Sequence, residues 1–177
     1  MPPDRFDIEI VGETDGDISS QTGPAVHVDR GFSDPINYDL ILIPGGMGTR
    51  EEVDNPALLE WITKAASQAE TVMSVCTGSA LLARTGVLDG RRATSNKIAF
   101  VWVRGQSSKV NWVTQARWVE DEKFFTSSGV SAGMDMALAV IAHHCGIEMA
   151  RDVTIWAEYE WHEDASRDPF AKIHGLV

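Results

Sequence analysis

The sequence predicts an α/β protein with a mostly parallel sheet covered by helices on both faces. Three observations carry that prediction. Asp39-Leu40-Ile41-Leu42-Ile43 is an unbroken apolar run, the pattern of a parallel strand buried on both sides, and it leads straight into Pro44-Gly45-Gly46-Met47-Gly48. Thr71-Val72-Met73-Ser74-Val75 is a second short buried strand, which meets Cys76 and then a helical run stopped by Gly86. Along the rest of the chain, strand patterns alternate with helical ones, as parallel sheets require. The 177 residues, 44% hydrophobic and 23% charged, suffice for one well-filled core and are read as one domain over 1–177.

Each element has its own signal. Phe6-Asp7-Ile8-Glu9-Ile10-Val11 alternates apolar and polar and predicts a strand ending at Gly12. Residues 13–23 are polar and read as loop, while Ala25-Val26-His27-Val28 reads as a short edge strand. Asn55-Pro56 opens a helix, with asparagine as cap and proline at the first helical position. Leu58, Leu59, Ile62, Ala65, Ala66 and Ala69 form its apolar face. After Gly86, Leu88 to Thr94 gives a turn and a short strand, and 96–103 reads as a weakly patterned helix. Trp112-Val113, Ala116 to Val119 and Phe124 to Thr126, broken by the acidic turn Glu120 to Lys123, suggest a small antiparallel excursion. Small residues at 128–133 lead into a helix whose predicted buried face is Met134, Ala137, Leu138, Ile141 and Cys145. A last amphipathic helix covers about 147–159, and 160–177 reads as a polar tail.

The chemistry centres on Cys76. Ser74 and Gly78, two residues either side of it, are small, as a sharp strand-to-helix turn demands. At the apex of such a turn a cysteine meets unpaired N–H groups and the positive end of a helix, a setting for a nucleophile. In parallel sheets, reactive groups gather beyond the carboxyl ends of the strands. Gly45-Gly46 and Cys76 both lie there, so they are expected to share one pocket. The amides of Gly46 and Thr77 then point at charge developing on a substrate that Cys76 attacks. The candidate catalytic residues are Cys76, Thr77 and Gly46; Gly45, Met47, Gly78, Asn96 and Asp135 are candidates for contacting substrate. Asp135, in the first turn of a helix after a strand end, reads as a helix-start acid or as a carboxylate beside Cys76.

Composition excludes other classes. A formal net charge of -11, with no basic cluster, argues against a nucleic-acid partner. Two cysteines, no signal-peptide pattern and no long apolar run point to a soluble, cytoplasmic protein that does not engage a membrane. No metal-ligand spacing, nucleotide fingerprint or phosphate loop appears, so neither metal nor cofactor is expected. The tryptophans at 102, 112, 118, 156 and 161 read as core and as the surface of a homodimer.

Four motifs, in order, resemble the DJ-1/PfpI superfamily: Ile43 to Gly48, Ser74-Val75-Cys76-Thr77-Gly78, Gly90-Arg91-Arg92-Ala93-Thr94, and Gly129 to Asp135. The resemblance covers about Phe6 to Ala171. The Cys-Thr-Gly form looks most like the isonitrile hydratase branch and the matching domain of some AraC-type regulators. It implies a flavodoxin-like three-layer α/β/α sandwich, a homodimer, and a cysteine on a strained elbow. For the hydratase branch it implies attack by Cys76 on an isocyanide carbon, a covalent thioimidate, and release of an N-substituted formamide. Thr77 and Gly46 carry over as amide donors. Two departures stand out. The strand at Phe6 matches the second strand of the resembled family, so a first strand and a helix bearing an Asp or Glu beside the cysteine are missing, and a truncated start is expected. Where many relatives have a histidine, this chain has Ser95-Asn96-Lys97, so a Cys–His pair is unsupported. The competing readings are a glyoxalase-like or amidase-like enzyme, and a redox-sensing or ligand-binding module.

Overall fold

The computed structural model describes residues 6–19 and 23–177. The chain starts with four short strands, β1 (Val11–Gly12), β2 (Gly16–Ser19), β3 (Ala25–Val28) and β4 (Arg30–Gly31). β2 and β3 form an antiparallel hairpin, and β1 runs parallel to β4. Two expectations change here. Residues 6–10 are not strand, and Ile8 is 82% exposed. Alternation makes a strand only where a neighbour takes up the backbone groups, and no described strand pairs with that segment. Conversely, Gly16–Ser19, read as loop because of its polarity, is strand because Ala25–Val28 pairs with it; residues 20–22 lie outside the described residues.

The next stretch builds the centre. β5 (Leu40–Ile43) leads through the glycine loop to α1 (Thr49–Glu52) and α2 (Pro56–Gln68). Asn55 caps α2 as expected, its side chain accepting the amides of Ala57 and Leu58 at 3.0 and 3.3 Å. β6 (Thr71–Val75) turns at Cys76 into α3 (Gly78–Arg84). β7 (Arg92–Ala93), α4 (Phe100–Arg104) and β8 (Asn111–Trp112) follow. The predicted 96–103 helix is thus reduced to five residues shifted toward its end. β9 (Trp118–Asp121) and β10 (Phe124–Ser127) form the antiparallel pair that was foreseen. It is no excursion, however: β10 lies beside β6 in the main sheet.

That sheet has the order β5-β6-β10-β9, with β5, β6 and β10 parallel and β9 antiparallel. Its alternating side chains feed two cores. Ile41, Ile43, Val72 and Phe124 pack with Ile62, Ala65, Leu81 and Leu82 of α2 and α3. Phe125, with half-buried Met73 and Val75, packs on the opposite face with Met136 and Val140 of α5 (Val130–Cys145). The result is the three-layer α/β/α sandwich that was expected. Among the described residues β5 is paired on one side only, and Leu42 is 52% exposed.

The end of the chain overturns two readings. The buried face of α5 is Ala132, Gly133, Asp135, Met136, Leu138 and Val140, while Met134 is exposed and Cys145 only half-buried. Counting apolar residues alone rotated the helix, because its central buried residue is an aspartate. α6 (Ile147–Ala157) and α7 (Phe170–Ile173) close the chain. The 160–177 segment was read as a polar tail. Instead, the amides of Arg117 and Trp118 donate to its Ala165 carbonyl at 2.7 and 3.4 Å, and Asp168 and Ala171 are buried. Of the tryptophans, Trp118 is buried and Trp156 exposed, whereas Trp61, absent from the expected set, is in the core stacked on Phe32.

Candidate active site

Cys76 has φ 58°, a left-handed backbone that side chains other than glycine adopt at a cost. Local hydrogen bonds hold it there. Its amide donates to the Ser128 carbonyl at 3.0 Å. Its own carbonyl accepts the hydroxyls of Ser95 at 2.8 Å and Ser79 at 3.1 Å. The cysteine is free and half-buried. The small residues flanking it serve the packing foreseen from sequence. A Cβ at Gly78 would lie 2.2 Å from the Ile43 carbonyl oxygen, so only glycine lets α3 start against the end of β5.

The same close approach brings in the glycine loop. A Cβ at Gly45 would stand 2.6 Å from the Thr77 nitrogen and 2.8 Å from the Cys76 Cβ. Gly45 and Cys76 are therefore direct neighbours, as their positions at two adjacent strand ends required. The role expected of Gly46 changes. Its amide donates to Thr77 Oγ1 at 2.9 Å, and the Thr77 hydroxyl donates back to the Gly46 carbonyl at 3.1 Å. Thr49 Oγ1 closes this knot, 2.7 Å from the Gly46 carbonyl and 3.0 Å from Thr77 Oγ1. Gly46 itself, at φ 141°, holds a conformation suited to glycine. The Thr77 nitrogen lies against Gly45 and its amide has no acceptor among the described residues, whereas the Gly46 amide is taken up by the Thr77 side chain.

The remaining candidates separate. Met47 is exposed on the loop beside the elbow. Asn96 accepts the Ala99 amide at 3.0 Å, and its Nδ2 lies 3.1 Å from where a Gly129 Cβ would stand. It thus joins the 95–97 segment to the start of α5 at the rim of the site. Asp135 does not reach substrate: it is fully buried, and Arg117 Nε donates to its Oδ2. Its Oδ1 accepts the Tyr159 hydroxyl and the His162 amide, each at 3.0 Å. Burial and the bond to this carboxylate hold the Tyr159 phenol above its usual range. His143 and His144 lie by Thr71, where His144 Nε2 is 2.8 Å from Thr71 Oγ1. Thr71 opens β6 and Cys76 follows its last residue, so at ~3.3 Å per residue the imidazoles sit about 16 Å from the elbow. Two clefts lie elsewhere, one of about 490 Å³ beside those histidines and one of about 610 Å³ between β9 and the 161–166 segment.

Sequence reasoning missed Thr49, Ser79, Ser95, Ser128 and Lys97. Thr49 had a usable signal, a hydroxyl three residues after a glycine, the spacing of a side chain closing a turn. Ser95 had none, because its partner Cys76 is distant in the chain, and the burial of Lys97 depends on Ala116 and Asp168, likewise far from it in sequence. Among the described residues there is no group of three or more His, Cys, Asp or Glu that fits a metal, and no helix long and apolar enough to cross a membrane.

Residues 4–143 match the model of the DJ-1/PfpI family. Isonitrile hydratase of Pseudomonas putida is 33% identical over 144 residues, which are 80% of this chain and 61% of that protein. The HTH-type transcriptional regulator CdhR of Pseudomonas aeruginosa is 29% identical over 151 residues, covering 85% of this chain and 44% of the regulator. The chain thus spans about three fifths, and under half, of these two relatives. Among solved structures, a ThiJ/PfpI family protein from Pseudomonas syringae superposes with TM-score 0.78 and 26% identity, over 96% of this chain and 72% of that one. An AraC family transcriptional regulator from Pseudomonas putida has the same fold, with TM-score 0.76 and 17% identity over 88% of this chain and 83% of that one.

Proposed function

We propose, from the premise that the chain belongs to the DJ-1/PfpI family, that it is a cofactor-free, cysteine-dependent hydratase acting on small carbon–nitrogen electrophiles such as isocyanides. The observation that carries this reading is the elbow: a half-buried free cysteine at φ 58° with Gly45 packed against both its Cβ and the Thr77 nitrogen. The similarity to isonitrile hydratase supports the choice of substrate class.

The chemistry splits a slow hydration into two easier steps. The sulfur of Cys76 adds to the terminal carbon of R–N≡C, forming the S–C bond, while that carbon takes up a proton to give the thioimidate R–N=CH–S. Water then adds to the same carbon, the C–S bond breaks, the sulfur recovers its proton and R–NH–CHO leaves. The Thr77 amide stabilises charge on the adduct, and Thr49 holds the Thr77 side chain against Gly46. In this scheme both protons come from, and return to, solvent water. As a cytoplasmic homodimer, the protein covers part of its apolar surface with a second copy.

Incubation with an aryl isocyanide tests the reading. The expected result is formation of the N-aryl formamide at a rate that falls at least about 1000-fold in Cys76→Ser. A second reading, a ligand-binding module, draws on the similarity to the regulator CdhR; tight binding without formamide is its signature.

A further inference from the structure

Lys97 is buried, 4% exposed, and so is Asp168, at 2%. A lysine this enclosed is rare, because removing its charge from water costs several kcal/mol unless partners compensate. The Lys97 ammonium has them. It donates to Thr94 Oγ1 at 2.8 Å, to the Ser95 carbonyl at 3.2 Å and to the Ala116 carbonyl at 2.7 Å. It faces Asp168 Oδ2 at 3.5 Å and lies 5.3 Å from the centre of the Phe100 ring. Asp168 Oδ1 accepts the Phe170 amide at 2.9 Å, while Oδ2 has no hydrogen bond and meets only this ion pair.

The residues that the ammonium grips are those behind the nucleophile. Ser95, whose carbonyl it holds, donates its hydroxyl to the Cys76 carbonyl. Thr94 anchors the same segment to the sheet, its amide donating to Thr126 Oγ1 at 2.9 Å and its hydroxyl to the Val113 carbonyl at 2.8 Å. We infer that Lys97 is a positioning residue for the Cys76 elbow: its ammonium, neutralised by Asp168 from the far end of the chain, fixes the 94–96 segment that holds the Cys76 carbonyl. The inference deepens the hydratase reading and rests on Cys76 being its reactive thiol.

The charge is conditional. Burial lowers the Lys97 pKa to about 8, partly offset by Asp168, which among the described residues is the charged group facing it. Below that pH the full set of donors is present; above it the ammonium loses a proton and the grip weakens.

The test follows alkylation of Cys76 by iodoacetamide, read by mass spectrometry on the Cys76 peptide so that Cys145 does not contribute. It needs no turnover, so failure of the isocyanide assay leaves it interpretable. Lys97→Met removes the donors and strands Asp168; Lys97→Met/Asp168→Asn removes the donors but leaves no orphaned charge. The expected result is alkylation about fivefold slower than wild type at pH 7 in both variants, with thermal stability recovered in the double variant alone. The wild-type-to-variant rate ratio is expected to fall as pH rises past 8, where the ammonium loses its proton. Should Lys97→Met not fold, the double variant decides alone. A wild-type rate in Lys97→Met, recovery of the rate together with stability in the double variant, or a ratio flat across pH 8 overturns the inference.

Discussion

At the scale of single residues, the site is a compromise between backbone strain and chemistry. A cysteine held at φ 58° costs on the order of 1–3 kcal/mol, which the hydrogen bonds donated by the Ser79 and Ser95 hydroxyls and accepted by the Ser128 carbonyl sustain. Replacing it with glycine removes that strain but adds flexibility to the unfolded chain, worth about 0.5–1 kcal/mol. Cys76→Gly is therefore expected to be about 1 kcal/mol more stable than wild type in urea unfolding while losing alkylation and turnover. Equal or lower stability would mean that the elbow is unstrained. The elbow itself was legible in the sequence, because it is built from neighbours: small residues flanking one cysteine at a strand–helix junction. What was not legible is the orientation of the Gly46 amide. It depends on Thr77 and Thr49 hydroxyls whose directions no local pattern encodes.

At the scale of elements, hydrophobic periodicity succeeded wherever a core is purely apolar and failed where a charge is buried. β6 and the capped α2 read correctly because oil-like contacts define them, whereas β5, read as buried on both faces, is a strand buried on one face only, with Leu42 52% exposed on the other. α5 was rotated because Asp135 is part of its buried face, paired with Arg117, 18 residues earlier in the chain. Residues 6–10 show the converse, an alternating pattern with no described strand beside it. The Arg117–Asp135 pair also ties α5 to the segment after α6 through Tyr159 and His162. Breaking it leaves a carboxylate buried without its cation, so Arg117→Met is expected to cost about 3–5 kcal/mol, and Arg117→Met/Asp135→Asn markedly less. Chemical denaturation checks both; equal losses would show that the side chains matter for packing rather than charge.

At the scale of the whole molecule, contacts from both ends of the chain are built into the sandwich, and its two tyrosines report on them. Tyr38 donates to Glu9 Oε2 at 2.8 Å, and burial together with that carboxylate raises its pKa to about 12. Tyr159 is shifted upward by burial and by Asp135. Between pH 10 and about 12 the unfolded chain has released the Tyr38 proton and the folded one retains it. The unfolded state then binds fewer protons, so this contribution to stability is complete below pH 10 and is lost as pH climbs toward 12. Absorbance of tyrosinate is accordingly expected to stay low in the folded protein at pH 10.5 and to rise on unfolding; ordinary titration near pH 10 in the folded state would contradict the two contacts. The net charge of -11 remains an argument about partners and not about the fold. The whole account turns on a covalent bond to one sulfur, and acid-quenched intact-mass spectrometry during turnover of an aryl isocyanide tests it most directly. The predicted result is a mass increase of one isocyanide, located on the Cys76 peptide and absent from Cys76→Ser; formamide produced at the wild-type rate by Cys76→Ser, with no adduct on either protein, would contradict it.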